Sequence, residues 1–195
     1  MSVIFGITEE NRIILAGDKR VTDVTDGSFS DDAQKVIQIN KQLCIAFAGN
    51  MAVMTSIMKK VEATENKDTL VTDDLLEIIN SFYKKVVEKE CDVIYGYAFY
   101  CLIAGKGKDG KDYLYNAGKF KNGFEYREVP MALYPPTDAD QKKCNEIFVK
   151  NYYSNKNDFW TKTVEEISQL SSMVSSVGDC WIYNRDTCMG KLVQF

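Results

Sequence analysis

The chain opens with two short apolar runs separated by a polar turn. Val3 to Ile7 and Ile13 to Gly17 flank the polar residues 8–12. Short apolar runs bounded by turn residues predict two buried strands that form a hairpin. The second run ends in Asp18-Lys19-Arg20. Because charges at the end of a buried strand are costly unless they are paired or used, this triplet marks the first candidate for a functional site.

The rest of the chain predicts further strands and four helices. Polar residues 21–32 favour a loop or a ragged hairpin. The helices are expected at residues 51–65, 72–90, 138–153 and 163–172, the last with a capping box of Thr163 and Glu166. The later strands are expected at residues 35–40, 43–47, 93–104, 112–116, 124–129, 181–183 and 191–195. Two antiparallel sheets with helices outside each would bury these faces, and periodicity alone gives a mixed α+β domain.

Length and composition set limits on the class of protein. A chain of 195 residues with no evident linker or repeat is expected to form one domain over residues 1–195. The net charge of −4 argues against a nucleic-acid or anionic-membrane binder. Cys44, Cys101 and Cys180 lie in apolar runs and are predicted to be buried, reduced thiols, which favours a cytoplasmic location.

The chain contains no histidine. This excludes Ser-His-Asp and Cys-His catalysis and the usual histidine-based zinc sites. Acid–base chemistry must therefore come from lysine, carboxylates, tyrosine or an α-amine. We expect no metal and no cofactor.

Ser2 is a candidate nucleophile. It follows the initiator Met1, and a small second residue permits removal of that methionine. The α-amine that this would free has a pKa near ~8 in model peptides, so a hydroxyl and its own base would lie on one residue. The alternative is that Ser2 is an ordinary small second residue.

Four segments resemble the proteasome-type N-terminal nucleophile hydrolases. The opening from Ser2 to Arg20 is similar to the family's nucleophile strand, hairpin and Asp-x-Arg triplet. The other three resemble its lysine strand, its Ala-Gly turn and a late strand of the bacterial ATP-dependent peptidase; they are Gln34 to Ile39, Ala46 to Gly49 and Gly178 to Tyr183. The resemblance implies a four-layer α-β-β-α sandwich of two antiparallel sheets.

The resemblance also implies an endopeptidase that acts on peptides or unfolded protein. Ser2 would be the nucleophile after removal of Met1, Lys35 would tune it by its charge, and Asp18 would hold Lys35. The backbone N–H of Gly49 would bind the oxyanion, and Arg20 would brace Asp18 or the nearby loop. Each residue also has a simpler interpretation when it is taken alone. Lys35 could be a solvent-facing charge at a strand edge, and Asp18 could be an ordinary turn carboxylate.

Substrate and partner residues come from the same resemblance. Val21, Phe47 and Met51 would line an apolar pocket for the substrate residue before the cut bond. The chain would form a homo-oligomer, from a dimer to a double ring, with the Met-rich helix Met51 to Val61 as a contact surface. An ATP-dependent unfoldase is the implied partner.

One segment departs from the family pattern. The family has a Ser-Gly segment before its third helix, where this chain has Met131 to Pro136 and no serine. Tyr134 in that segment, or Ser175 or Ser176 further on, would have to replace the missing hydroxyl. Two other readings therefore stay open: a catalytically silent structural subunit of the same fold, and an amidase of the same superfamily that acts on a small molecule.

Overall fold

The computed structural model describes residues 2–23, 25–87, 99–120 and 123–195. Over these residues the chain forms two large antiparallel sheets and four α-helices. The hairpin predicted for the opening residues is present as β1 (Ile4–Thr8) and β2 (Arg12–Asp18). The α+β prediction is confirmed.

The first sheet contains both opening strands at its centre. Its strand order is β10-β1-β2-β11-β12. The other members are β10 (Met131–Tyr134), β11 (Gly178–Asn184) and β12 (Met189–Gln194). In the register of β2 against β11, Gly178 lies opposite Asp18. The late segment of the chain therefore reaches the charged end of β2.

The second sheet is a meander with the order β5-β6-β7-β8-β9. Its strands are β5 (Val36–Asn40), β6 (Leu43–Gly49), β7 (Phe99–Lys106), β8 (Asp112–Phe120) and β9 (Gly123–Glu128). Residues 21–32 form a small hairpin of β3 (Val21–Thr22) and β4 (Phe29–Ser30). Of the loop and the ragged hairpin that the sequence left open, the structure has the hairpin.

The helices come in two pairs. The first pair is α1 (Met51–Glu62) and α2 (Thr72–Val87), with a short 3₁₀ turn at Lys67–Thr69 between them. The second pair is α3 (Gln141–Ser154) and α4 (Phe159–Ser168). Asn50 caps α1 by accepting a hydrogen bond from Ala52 N at 2.8 Å, and Asp140 caps α3 in the same way.

Three apolar cores define the four layers. One lies between the sheets and includes Ile4, Leu15, Leu102 and Trp181. The second joins the β5–β9 sheet to α1 and α2, and the third joins the β1-containing sheet to α3 and α4. Helix, sheet, sheet and helix thus follow one another, which confirms the predicted sandwich.

The prediction for the fourth helix was wrong at both ends, since the helix ends at Ser168 and not at Ser172, and one strand was missed. The fourth helix begins at Phe159 and not at Thr163, which is buried inside the helix. Phe159 and Trp160 extend its apolar face by one turn, and the hydroxyl of Thr161 donates to Asp158 just before the helix. Residues 131–134, which carried no prediction of secondary structure, form the edge strand β10. The predicted helix end at 88–90 and strand start at 93–98 lie outside the described residues.

The methionine stripe of α1 belongs to the core. Met54, Ile57 and Val61 are buried against the second sheet, and Met51 and Met58 pack partly on the same core. These apolar side chains pack within the subunit, so a contact made through α1 would use its other face, where Thr55, Lys59 and Lys60 are exposed. Cys44, Cys101 and Cys180 are buried free thiols, as predicted.

Among the described helices, none has the length and apolar character needed to cross a membrane.

The packing of Trp181 on Gly190 generates a stability prediction. A Cβ atom added at Gly190 would lie 2.2 Å from two ring atoms of Trp181. Since Trp181 is fully buried between the sheets, Gly190→Ala must displace it, and we expect a loss of about 1–3 kcal/mol in the free energy of unfolding. Urea denaturation measures this. The exposed Lys191→Ala on the same strand is the control, expected within about 0.5 kcal/mol of wild type; equal stabilities of the two variants would contradict the packing argument.

Candidate active site

The carboxylate of Asp18 is buried at the end of β2 and accepts four hydrogen bonds. Oδ1 accepts from Val3 N at 2.9 Å and from Lys35 Nζ at 2.8 Å. Oδ2 accepts from Arg20 N at 2.8 Å and from Ser175 N at 3.2 Å. A buried charge persists only when it is paired and hydrogen-bonded, and here both conditions are met. The carboxylate is thus a fixed acceptor at which four segments of the chain meet.

Lys35 is the counter-charge of Asp18. Its side chain is only 1% exposed, so the alternative of a solvent-facing charge at a strand edge is wrong. Burial lowers the pKa of Lys35 because it penalises the ammonium form, while the charge and hydrogen bond of Asp18 act in the opposite direction. The carbonyl of Lys35 also accepts from Phe47 N at 2.9 Å, which fixes the lysine against β6.

Ser2 lies next to this ion pair. The following residue, Val3, donates from its N–H to Asp18 Oδ1 and accepts from Asp18 N at 3.2 Å. These two bonds hold the start of β1 against the end of β2. Ser2 itself is 8% exposed. Three of the predicted site residues, Ser2, Asp18 and Lys35, are therefore gathered at one point.

Gly49 ends β6 at the same end of the sandwich. Its φ of 127° lies in the region that favours glycine, so the turn into α1 depends on the missing side chain. β1 and β6 face each other across the core between the sheets. Gly49, the predicted oxyanion donor, therefore belongs to β6, the same strand whose Phe47 N–H donates to the carbonyl of Lys35.

The three predicted pocket residues have different surroundings. Val21, opposite Ser30 in the small hairpin, and Met51, at the start of α1, are both half-buried. Phe47 is 1% exposed, and its ring centroid lies 4.8 Å from that of Phe99 in the core beneath α1 and α2. Phe47 can therefore form only the floor of a pocket, whereas the other two are accessible.

Comparison with known proteins identifies the family. The family model described as Proteasome subunit matches residues 2–119, which is more than half of the chain. The chain belongs to the proteasome subunit family. No curated protein matches the chain. The matched region contains Ser2, Asp18, Lys35 and Gly49, and members of the family generally assemble into oligomeric rings.

In this proteasome-family chain, Tyr134 does not take the place of the missing serine. Its hydroxyl donates to Asn116 Oδ1 on the facing sheet, and its ring stacks on Tyr100 with centroids 5.1 Å apart. Burial is the main cause that raises the pKa of Tyr134 to about 12, so the phenol is neutral near pH 7. The hydroxyl is therefore a donor committed to Asn116.

Of the two candidate serines, only Ser175 reaches the site. Its N–H donates to Asp18, while its hydroxyl accepts from Lys19 N at 3.1 Å and donates to Val177 O at 2.8 Å. Ser176 is exposed. The contribution of Ser175 thus comes from its backbone, which a search for a hydroxyl in the sequence could not identify.

Arg20 braces the site as expected, but with partners that sequence reasoning missed. Its N–H binds Asp18, and its guanidinium binds Asp31 in the small hairpin and the carbonyl of Ser172. No local pattern pointed to Asp31 or Ser172. Proximity of Asp31 to Arg20 along the chain was the only available signal.

Three of the cavities lined by the described residues lie away from this group. The first, of about 540 Å³, is at the turn between β11 and β12 and includes Lys41 and Cys188. The others lie beside Pro130 and on the outer side of α3. Among the described residues, no cluster of three or more cysteine, aspartate or glutamate side chains could hold a metal ion.

The buried ion pair generates a prediction about stability. Lys35→Met and Asp18→Asn each leave one buried group without its charged partner, so each is expected to lower the free energy of unfolding by about 3–5 kcal/mol. The double variant should lose clearly less than the sum, because neither charge is then left alone. Urea unfolding of the three variants measures both effects.

The control for this cycle is Lys67→Met. Its pair with Glu62 is at the surface, with side chains 34% and 58% exposed, and should contribute less than about 1 kcal/mol. Additive losses in the double variant would show that Asp18 and Lys35 do not act as a pair.

Proposed function

We propose that this proteasome-family subunit is an endopeptidase with Ser2 as nucleophile after removal of Met1. The observation that carries the proposal is the buried Asp18–Lys35 pair, which is hydrogen-bonded to Val3, the residue next to Ser2. A chain without histidine needs another base, and the α-amine of Ser2 provides one. The proposal takes residues 1–195 as one hydrolase domain.

In the proposed mechanism, the hydroxyl oxygen of Ser2 bonds to the carbonyl carbon of the substrate. Its proton moves to the α-amine, directly or through a water molecule. The ammonium of Lys35 stabilises negative charge on the attacking oxygen, and Asp18 fixes Lys35. The N–H of Gly49 donates to the oxyanion. Collapse of this intermediate breaks the C–N bond, the leaving amine takes the proton, and water then hydrolyses the ester on Ser2.

A catalytically silent subunit is the second candidate function. It is favoured by one observation: the hydroxyls of Tyr134 and Ser175 are both engaged elsewhere, on Asn116 and on backbone groups. A third reading, a small-molecule amidase, differs from the first only in substrate. Turnover of peptides by the processed protein separates it from the endopeptidase.

The assembly and partner proposals follow from the family. We propose a homo-oligomer between a dimer and a double ring, a cytoplasmic location, and an ATP-dependent unfoldase that supplies unfolded protein. The apolar face of α1 is packed within the subunit, so the proposed contact through this helix would use its exposed face, which includes Thr55, Lys59 and Lys60.

The nucleophile is tested by substitution of Ser2. Intact-protein mass first establishes that Met1 has been removed. Ser2→Ala keeps the amine but removes the hydroxyl, so kcat/KM for peptides should fall by about 1,000-fold or more, and Ser2→Thr should keep activity. Ser154→Ala, an exposed serine on α3, is the control. Equal turnover by folded Ser2→Ala would remove Ser2 as nucleophile; no turnover by processed wild type would favour the silent subunit.

Substrate preference is a separate prediction. Val21, Phe47 and Met51 are all apolar, so a charged substrate side chain would lose hydration there without gaining a partner. We expect faster cleavage after Leu or Tyr than after Arg or Glu, measured as kcat/KM on peptides that differ only at that residue. Faster cleavage after Arg or Glu would show that these three residues do not form the pocket.

A further inference from the structure

We propose that the ion pair between Arg20 and Asp31 is a positioning pair that sets both the geometry and the charge balance of the Asp18–Lys35 centre. The inference rests on the proposed peptidase function and adds two residues to it. Neither would touch the substrate's reacting atoms, so both act through Asp18 and Lys35.

The guanidinium of Arg20 is held on three sides. Nε and Nη2 donate to the two oxygens of Asp31 at 2.7 and 2.8 Å, and Nη1 donates to Ser172 O at 2.9 Å. The ring of Phe29 lies 4.0 Å from the guanidinium carbon. This two-pronged geometry is specific to arginine, because a lysine ammonium cannot make the same fork.

These contacts lead directly to Asp18. The N–H of Arg20 donates to Asp18 Oδ2, and so does the N–H of Ser175, three residues after Ser172. The guanidinium of Arg20 therefore fixes the segment from Ser172 to Ser175, which supplies one donor to Asp18. The backbone N–H of Arg20 supplies a second donor. Loss of the side chain is expected to loosen two of the four hydrogen bonds of the carboxylate.

The pair also acts on Lys35 through its charges. Three charged groups act on the Lys35 ammonium: Asp18 from β2, Asp31 from the small hairpin and Arg20 from the turn after β2. Asp18 and Asp31 raise the pKa of Lys35, whereas Arg20 lowers it. Because Arg20 and Asp31 oppose each other, removal of either one leaves the other's effect uncompensated.

Opposite substitutions should therefore move Lys35 in opposite directions. Arg20→Met removes the cause that lowers the pKa of Lys35, so the pKa should rise. Asp31→Asn removes a cause that raises it, so the pKa should fall. Because the proposed mechanism uses the ammonium form of Lys35, activity should decline as the pH rises through this pKa. The alkaline limb of the rate profile should thus shift to higher pH in Arg20→Met and to lower pH in Asp31→Asn.

Two measurements test this on the full chain. The first is the pH dependence of kcat/KM and kcat for peptide hydrolysis. The second is direct titration of Lys35 by NMR in lysine-labelled protein, with its signal assigned by its absence from Lys35→Met. We expect kcat to fall about twofold to thirtyfold in both variants, the range for residues that act through others.

Matched variants separate position from charge. Arg20→Lys keeps the charge but loses the fork, so kcat should fall while the titration of Lys35 stays close to wild type. Arg12→Met removes the arginine that begins β2, at the end of the strand opposite to Asp18. Arg12 pairs with Glu9, so this variant should change neither quantity. If Arg20→Met does not fold, Arg20→Lys and Asp31→Asn carry the test.

The outcomes distinguish this inference from the proposed function. Opposite shifts of the Lys35 titration in Arg20→Met and Asp31→Asn support the charge balance, even in a protein that hydrolyses no peptide. An active wild type with unmoved Lys35 titration and unmoved alkaline limbs in both variants overturns the inference and leaves the peptidase proposal standing. Shifts in the same direction in both variants also overturn it.

Discussion

The buried ion pair of Asp18 and Lys35 is the interaction on which the rest of the structure depends. Removing two charges from water costs several kcal/mol for each ion, so the pair is tolerable only with complete hydrogen bonding. Asp18 ends a strand of one sheet and Lys35 precedes a strand of the other. The salt bridge therefore joins the two sheets, and its geometry is correct only if both hairpins have the right register. The same requirement brings the start of β1, and with it Ser2, to this point.

Local patterns in the sequence were sufficient for most of the fold. Short apolar runs with polar turns predicted the hairpins, and the stripe of Met54, Ile57 and Val61 predicted the buried face of α1. The pattern failed where a helix start or an edge strand lacked a local signal. The four-layer arrangement itself came from the family resemblance, because periodicity cannot say which sheet faces which.

The candidate site was predicted only in part, for a physical reason. Side chains with characteristic chemistry, such as Asp18 and Lys35, leave a mark in the sequence. Backbone donors leave no such mark. The N–H of Ser175, 157 residues along the chain, donates a hydrogen bond to the Asp18 carboxylate, and any residue type with an N–H could do so. Tyr134 shows the opposite failure. It was one of three candidates to replace the family's missing serine, but pairing with Ile4 of β1 fixes Tyr134 in β10 and leaves its hydroxyl on Asn116.

A second buried carboxylate shows why burial alone does not define the site. Asp179 in β11 pairs with Gly17 in β2, one position along the strand from Asp18. It is 1% exposed. Lys19 Nζ is 3.3 Å from its Oδ1, yet among the described residues neither oxygen has a partner with hydrogen-bond geometry. This contact is a charge pair without orientation, whereas Asp18 is oriented by four donors from separate segments. Catalysis by electrostatic preorganisation needs groups whose direction is fixed before substrate arrives. Of the two carboxylates, only Asp18 meets that condition, which is why the proposed chemistry uses Asp18 and not Asp179.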